Sequence, residues 1–125
     1  MTFERHRAGG HRTERVAEEI RNEVSLMLAG ELKDPRLTAP MSISEVRLSS
    51  DRRTVRIYVQ LECEEAERAR VLEGLKAASR YVRHELVERL NLRRAPEILF
   101  LVDQSQQYGQ HIDDLLRRVT RSEKL

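Results

Sequence analysis

The sequence predicts an α+β domain in which helices cover one face of a three-stranded sheet. Three observations lead there. Val16, Ala17, Ile20, Val24, Met27 and Leu28 recur three or four residues apart, the stripe of an amphipathic helix. Residues 54–61 alternate strictly, with Val55, Ile57, Val59 and Leu61 on one face and Arg56, Tyr58 and Gln60 on the other, the period of a half-buried strand. A helical pattern over residues 64–91 then separates that strand from a second apolar run, and so long a crossover favours a parallel, right-handed connection within one sheet. The predicted order is helix, strand, strand, helix-bend-helix, strand.

Residues 1–12 contain Gly9, Gly10 and several charges without periodicity, and read as a flexible arm. The first helix should begin near Thr13 as N-cap, with Glu14 in its first turn. Gly30 supplies its stop, and Asp34-Pro35 rules out continuation. Arg15 and Arg21 lie among Glu14, Glu18, Glu19 and Glu23, so internal pairing is expected there. In residues 41–48 the alternation fits Met41 and Ile43, then shifts phase to Val46 and Leu48. One extra residue produces such a slip, which places a bulge near Ser44-Glu45. Residues 49–53 form a polar turn into the second strand.

A straight helix over residues 64–91 would run about 42 Å at 1.5 Å per residue. A domain of this size is about 35 Å across. A bend is therefore expected. The hydrophobic phase does not locate it, but Ala77-Ala78-Ser79 offers small side chains and a residue able to cap a second helix. Pro96 disfavours helix at Ala95. The run EILFLV at residues 97–102 reads as a strand buried on both faces. Beyond a polar linker, Ile112, Leu115, Leu116 and Val119 suggest a short amphipathic helix over residues 109–119. The chain thus divides into an arm (1–12), one folded domain (13–103) and a C-terminal extension (104–125).

Composition narrows the function. Hydrophobic residues make up 39% and charged residues 35% of the 125, so a small aliphatic core lies under a highly charged surface. There is no Trp and there are only five other aromatic residues, which argues against a reader of single-stranded bases by stacking. No apolar run approaches the roughly 20 residues that span a bilayer, and no secretory segment follows the polar start. The single Cys63 cannot form an internal disulfide. These features indicate a cytoplasmic protein. Cys63 has acidic neighbours that do not favour a nucleophile. His111 and Asp114 are too few to make a metal site, and no P-loop, GxGxxG or nucleophile elbow is present. No enzyme and no cofactor is expected.

A net charge of +2 would not single out a nucleic-acid binder, but its distribution is uneven. Glu62, Glu64, Glu65 and Glu67 form one acidic cluster. Lys76, Arg80, Arg83, His84, Arg89, Arg93 and Arg94 crowd the stretch LKAASRYVRHELVERLNLRR against only Glu85 and Glu88. Its apolar stripe can be buried while its other side offers positive charge to a polyanion. The alternative, a solvated face whose Glu and Arg pair with each other, stays open from the sequence alone.

With these residues in view, the chain resembles the bacterial ribosome-binding factor A family from about Arg15 to Leu116. The likeness is carried by RVAEEIRNEVSLML, LKDPRL, ISEVRLSSD, VRIYVQL, LKAASRYVRHELVERLNLRRAPEILFLVD and YGQHIDDLL, in that order. It implies a type II KH-like fold with the order α-β-β-α-kink-α-β. It also implies a cytoplasmic assembly factor that binds the immature small (30S) ribosomal subunit and its 16S rRNA and assists late maturation and rRNA processing. No cofactor, small-molecule substrate or membrane is implied. KH domains clamp a nucleic-acid backbone with a GxxG loop; the family carries an Ala-x-Gly bend there, matched here by Ala78-Ser79-Arg80, so Arg80 stands in place of glycine. The bend then loses its easiest route to positive φ, and a shallower kink with Arg80 on phosphate is expected.

The candidate RNA-binding residues are Lys76, Ser79, Arg80, Arg83, Arg89, Arg93 and Arg94, with Arg36, Arg52 and Arg53 as weaker ones. The cations would touch phosphate, giving affinity and position with little base reading. A monomer is expected. A second reading is a protein-interaction module whose sheet face or acidic side binds another assembly factor or a ribosomal protein.

Overall fold

A computed structural model gives the structure of the chain, describing residues 2–103 and 115–117, with side chains from Arg12 onward. Helix α1 (Thr2–Leu26) passes into a π-helical turn, Met27–Glu31. The hairpin β1 (Met41–Leu48) and β2 (Thr54–Leu61) follows, then α2 (Glu65–Leu90) and β3 (Glu97–Val102).

Strand β2 is central, antiparallel to β1 and parallel to β3. The register of the hairpin slips between Ile43 and Glu45, where the phase shift in the sequence predicts a bulge, and the Ser44 hydroxyl donates to the Tyr58 carbonyl (3.3 Å). After the slip, Val46 and Leu48 face the core with Ile43 instead of pointing away. Val55 pairs with Ile98 and Ile57 with Phe100, so one face of all three strands is apolar. Ile20, Val24 and Met27 from the first helical segment and Val71, Leu75, Val82 and Leu86 from α2 seal it. One layer of helices on one layer of sheet is the outcome.

Four expectations need correction. Thr13 lies inside α1 and is not an N-cap; Gly9 and Gly10 lower helix propensity without forbidding a helix. Gly30 does not stop the first helix through a left-handed turn, since no glycine has positive φ among the described residues. The helix instead widens, and the Leu32 amide closes it on the Met27 carbonyl (3.1 Å).

The bend is the third. α2 is one α-helix of 26 residues, about 39 Å long. Its start lies outside the core, since five of its first six residues are exposed. Ser79 caps nothing; its hydroxyl donates back to the Lys76 carbonyl (2.6 Å), a bond that curves a helix without breaking it. Positive φ occurs only at Arg52 and Asn91 among the described residues, so Arg80 keeps helical geometry where glycine would permit a turn.

The fourth is β3. It is an edge strand with one face in the core, and Leu99 and Leu101 lie on the outer face, Leu101 remaining 37% exposed. The helix expected over residues 109–119 falls mostly outside the described residues; those at 115–117 are helical and exposed.

Candidate nucleic-acid interface

The buried stripe of α2 fixes where its cations point. At 100° per residue, Lys76, Arg80 and Arg83 fall within about 60° of one another. All three are exposed, and none has an ion-pair partner among the described residues. Arg83 also donates to the Ala95 carbonyl (3.0 Å), tying this flank to the segment that leads into β3. Ser79, one residue before Arg80, is half-buried and bonded within the helix.

Arg89 lies about 120° or more around the same helix from those three. There it meets Glu23 of α1 at 3.1 Å, Glu31 at 2.6 Å and Glu85 at 3.2 Å. Its hydrogen bond to Glu31 lowers that carboxyl group's pKa, and the same contacts raise its own. The Tyr81 hydroxyl sits 3.3 Å from both Glu31 and Glu85. Burial first, and then the two carboxylates, raise its pKa. This flank ties helix to helix, and its one arginine is spoken for.

Arg36 is held in the same way. Asp34 accepts from its amide (2.9 Å), its Nε (3.0 Å) and its terminal nitrogen (2.6 Å), which brings the Asp34 carboxyl group down to about 2. The loop so formed leans on Gly74, where an added Cβ would come within 2.9 Å of Leu37 and 3.1 Å of Arg36. Glycine inside α2 thus serves a close approach.

Arg52, Arg93 and Arg94 gather elsewhere. Asn91 ends α2 in the left-handed conformation (φ 52°), its amide and that of Leu92 both bonded to the Val87 carbonyl. That reversal turns Leu92, Arg93 and Arg94 back toward α1 and the β1–β2 turn. Between them is a cavity of about 490 Å³, floored by Val16, Ile20, Leu48 and Val55 and lined also by Arg52, Arg93 and Arg94. Arg52 reaches the Thr13 hydroxyl (3.2 Å) and holds φ at 59°, a conformation that costs a residue with a side chain about 1–3 kcal/mol. Arg53 is exposed on the same turn, its amide bonded to Asp51 (3.0 Å) and its carbonyl to the Glu97 amide (2.7 Å).

The ten candidates therefore separate into a flank of α2, a cavity rim with Arg53 beside it, two engaged arginines and one internal serine. Sequence reasoning missed the cavity. A signal lay in Asn91, a residue type that caps helices in the left-handed region, followed directly by Leu-Arg-Arg. The outer face of the hairpin, which the sequence marks as wet or as a binding surface, carries Arg56, Tyr58 and Gln60. There Arg47 lies opposite Arg56, bonded to Glu45 (2.7 Å) and placed 5.7 Å from the centre of the Tyr58 ring. No group of three or more His, Cys, Asp or Glu is placed to hold a metal among the described residues, and no described helix is long and apolar enough to cross a membrane.

A parallel β2–α2–β3 crossover, an antiparallel β1 and a first helix packed beside α2 define a small type II KH-like domain. The sequence profile of ribosome-binding factor A matches residues 12–116. A protein of that name from Koribacter versatilis is 44% identical over 118 residues, covering 94% of this chain and 95% of its own. The chain belongs to the ribosome-binding factor A family. Among solved structures, the crystal structure of ribosome-binding factor A from Thermus thermophilus superposes with a TM-score of 0.65 at 27% identity, over 74% of this chain and 97% of its own. A Thermus thermophilus ribosome binding factor A homology model, fitted into a cryo-electron microscopy map of a complex with the 30S subunit, gives a TM-score of 0.51 at 30% identity, over 69% and 93% of the two chains.

Proposed function

We propose that this chain is a cytoplasmic assembly factor that binds the immature small ribosomal subunit and its 16S rRNA and assists late maturation and rRNA processing. It works as a monomer, without a cofactor and without catalysing a reaction. The observation that carries this reading is the likeness to a relative fitted into a 30S complex, at 30% identity. The physical support is the set of cations that the fold leaves without acid partners among the described residues. In this proposal Lys76, Arg80 and Arg83 along α2, with Arg52, Arg53, Arg93 and Arg94 at its C-terminal end, contact phosphate and release counterions. Arg36 and Arg89 hold the fold, and Ser79 shapes the helix. The proposal keeps residues 13–103 as the binding domain, with residues 1–12 an arm and 104–125 an extension.

Co-sedimentation with isolated small subunits, large subunits and intact ribosomes tests it. Retention on small subunits alone is expected, and equal retention on large subunits would remove the reading. The second reading, a protein-interaction module, draws on the outer sheet face, where Leu101 stands exposed beside Tyr58, its partner in register. Salt separates the two. Affinity for bare rRNA falls steeply with salt if the cations bind phosphate, and a protein-binding module need not show that fall.

A further inference from the structure

The cavity at the C-terminal end of α2 joins an uncharged floor to three guanidinium groups that no carboxylate holds among the described residues. Its volume, about 490 Å³, lies within the range of small-ligand sites, about 300–1,000 Å³. Ile20 and Val55 are core residues, each 1% exposed, so they fix the floor from behind while Val16 and Leu48, half-buried, supply the surface open to a ligand. The rim is set by the two left-handed residues, Asn91 and Arg52. Glycine would adopt the Arg52 conformation at less cost. Keeping arginine there gives the rim a third cation.

We propose that this cavity receives one unstacked nucleotide of RNA. Its base lies against the aliphatic floor and its flanking phosphates lie on Arg52, Arg93 and Arg94. The chemistry fits this occupant better than the alternatives. An isolated phosphate would leave the floor empty, and an apolar peptide would set three charges beside uncharged side chains. A splayed-out nucleotide has both a flat apolar face and adjoining negative charge, and guanidinium planes accept either. Asn91, also lining the cavity, brings an amide able to donate to and accept from a base edge. Asp51, the one acid lining the cavity among the described residues, already accepts from the Ser49 hydroxyl (2.6 Å) and the Arg53 amide (3.0 Å). The inference deepens the rRNA-binding reading and rests on it. Beyond phosphate contacts along α2, it gives the protein a preference for RNA with an unpaired base.

The test uses the full chain and two RNA hairpins, one fully paired and one carrying a single bulged 2-aminopurine. The unaltered protein should bind the bulged hairpin roughly fivefold or more tightly, as burial of about 40 Å² of base surface against aliphatic side chains would give, with a change in 2-aminopurine emission. Val16→Phe fills the cavity from its α1 side and should abolish the preference while leaving paired-stem affinity unchanged. Should that variant fail to fold, as read by circular dichroism, Arg93→Ala with Arg94→Ala serves instead, because both residues are exposed. That pair should lose the preference and reduce the salt slope of binding by about 1.4, for two contacts to single-stranded phosphate. RNA binding without a preference for the bulge, or a preference that survives both sets of substitutions, overturns the pocket and leaves the rRNA reading standing. No binding to either hairpin overturns both. Displacement of the bulged hairpin by an acidic peptide, with the same loss in the variants, assigns the cavity to protein and overturns the proposal.

Discussion

The two flanks of α2 carry the same residue types and have opposite fates. On the side facing α1, Arg89 is surrounded by Glu23, Glu31 and Glu85 and becomes part of the joint between helices. On the other side Lys76, Arg80 and Arg83 have no carboxylate in reach among the described residues. What separates them is the surface that the fold brings opposite, since the helix sequence supplies arginine to both. A cation count along a helix therefore overstates its readiness to bind a polyanion until the neighbouring helix is known.

Substitutions can break or sharpen this contrast. The largest effect is expected where the flanks share support: Leu75 is fully buried, and Leu75→Ala should cost about 2–5 kcal/mol in urea unfolding. Gly74→Val drives methyl groups into Leu37 and Arg36, and should cost about 1–3 kcal/mol by overpacking, with amide shifts in residues 34–37.

Arg89→Met should lower the melting temperature at neutral pH, because three carboxylates then face one another without the cation they share. Its pH dependence supplies a check on sign. Arg89 holds the Glu31 carboxyl group below its ordinary value of 4.5, so the contribution is complete above 4.5 and drains as pH falls through the lowered folded-state value. In the unaltered protein stability should fall on acidification through that window. In Arg89→Met it should fall less or rise. An identical pH profile for the two proteins would show that the arginine is not holding these acids.

Ser79→Ala loses one bond within the helix and gains helix propensity, so a net change within about 0.5 kcal/mol is expected from thermal unfolding. Lys76→Ala, Arg80→Ala and Arg83→Ala combined should cost little stability, chiefly the bond from Arg83 to the Ala95 carbonyl. Their loss should appear in RNA binding instead, with the salt slope reduced by about 2–3 for three phosphate contacts.

Much of the architecture was legible because local pattern and fold agree. The alternation in β2 became one apolar face, and the phase slip in β1 became a bulge. The unbroken hydrophobic phase of residues 65–90 was the better witness to α2 than the comparison of its length with the breadth of a domain. A helix can overhang its sheet, and size alone does not require it to bend. β3 misled because an apolar run shows that a strand has two apolar faces without showing that anything covers both. The site was less legible. The pairing of Arg89 with Glu85 is an i, i+4 contact visible in the sequence, but Glu23 and Glu31 lie 66 and 58 residues away. The rim of Arg52, Arg93 and Arg94 joins segments about 40 residues apart through two left-handed residues. Proximity of that kind is a property of the fold and has no local signature.

The contrast between the flanks is tested most directly by sedimenting two variants with isolated small ribosomal subunits at several salt concentrations, below the melting temperature of either. The triple Lys76, Arg80 and Arg83 variant should stay in the supernatant while Arg89→Met pellets with the subunits as the unaltered protein does. Retention of the triple variant together with loss of Arg89→Met would place the contact on the wrong side of α2 and contradict that contrast.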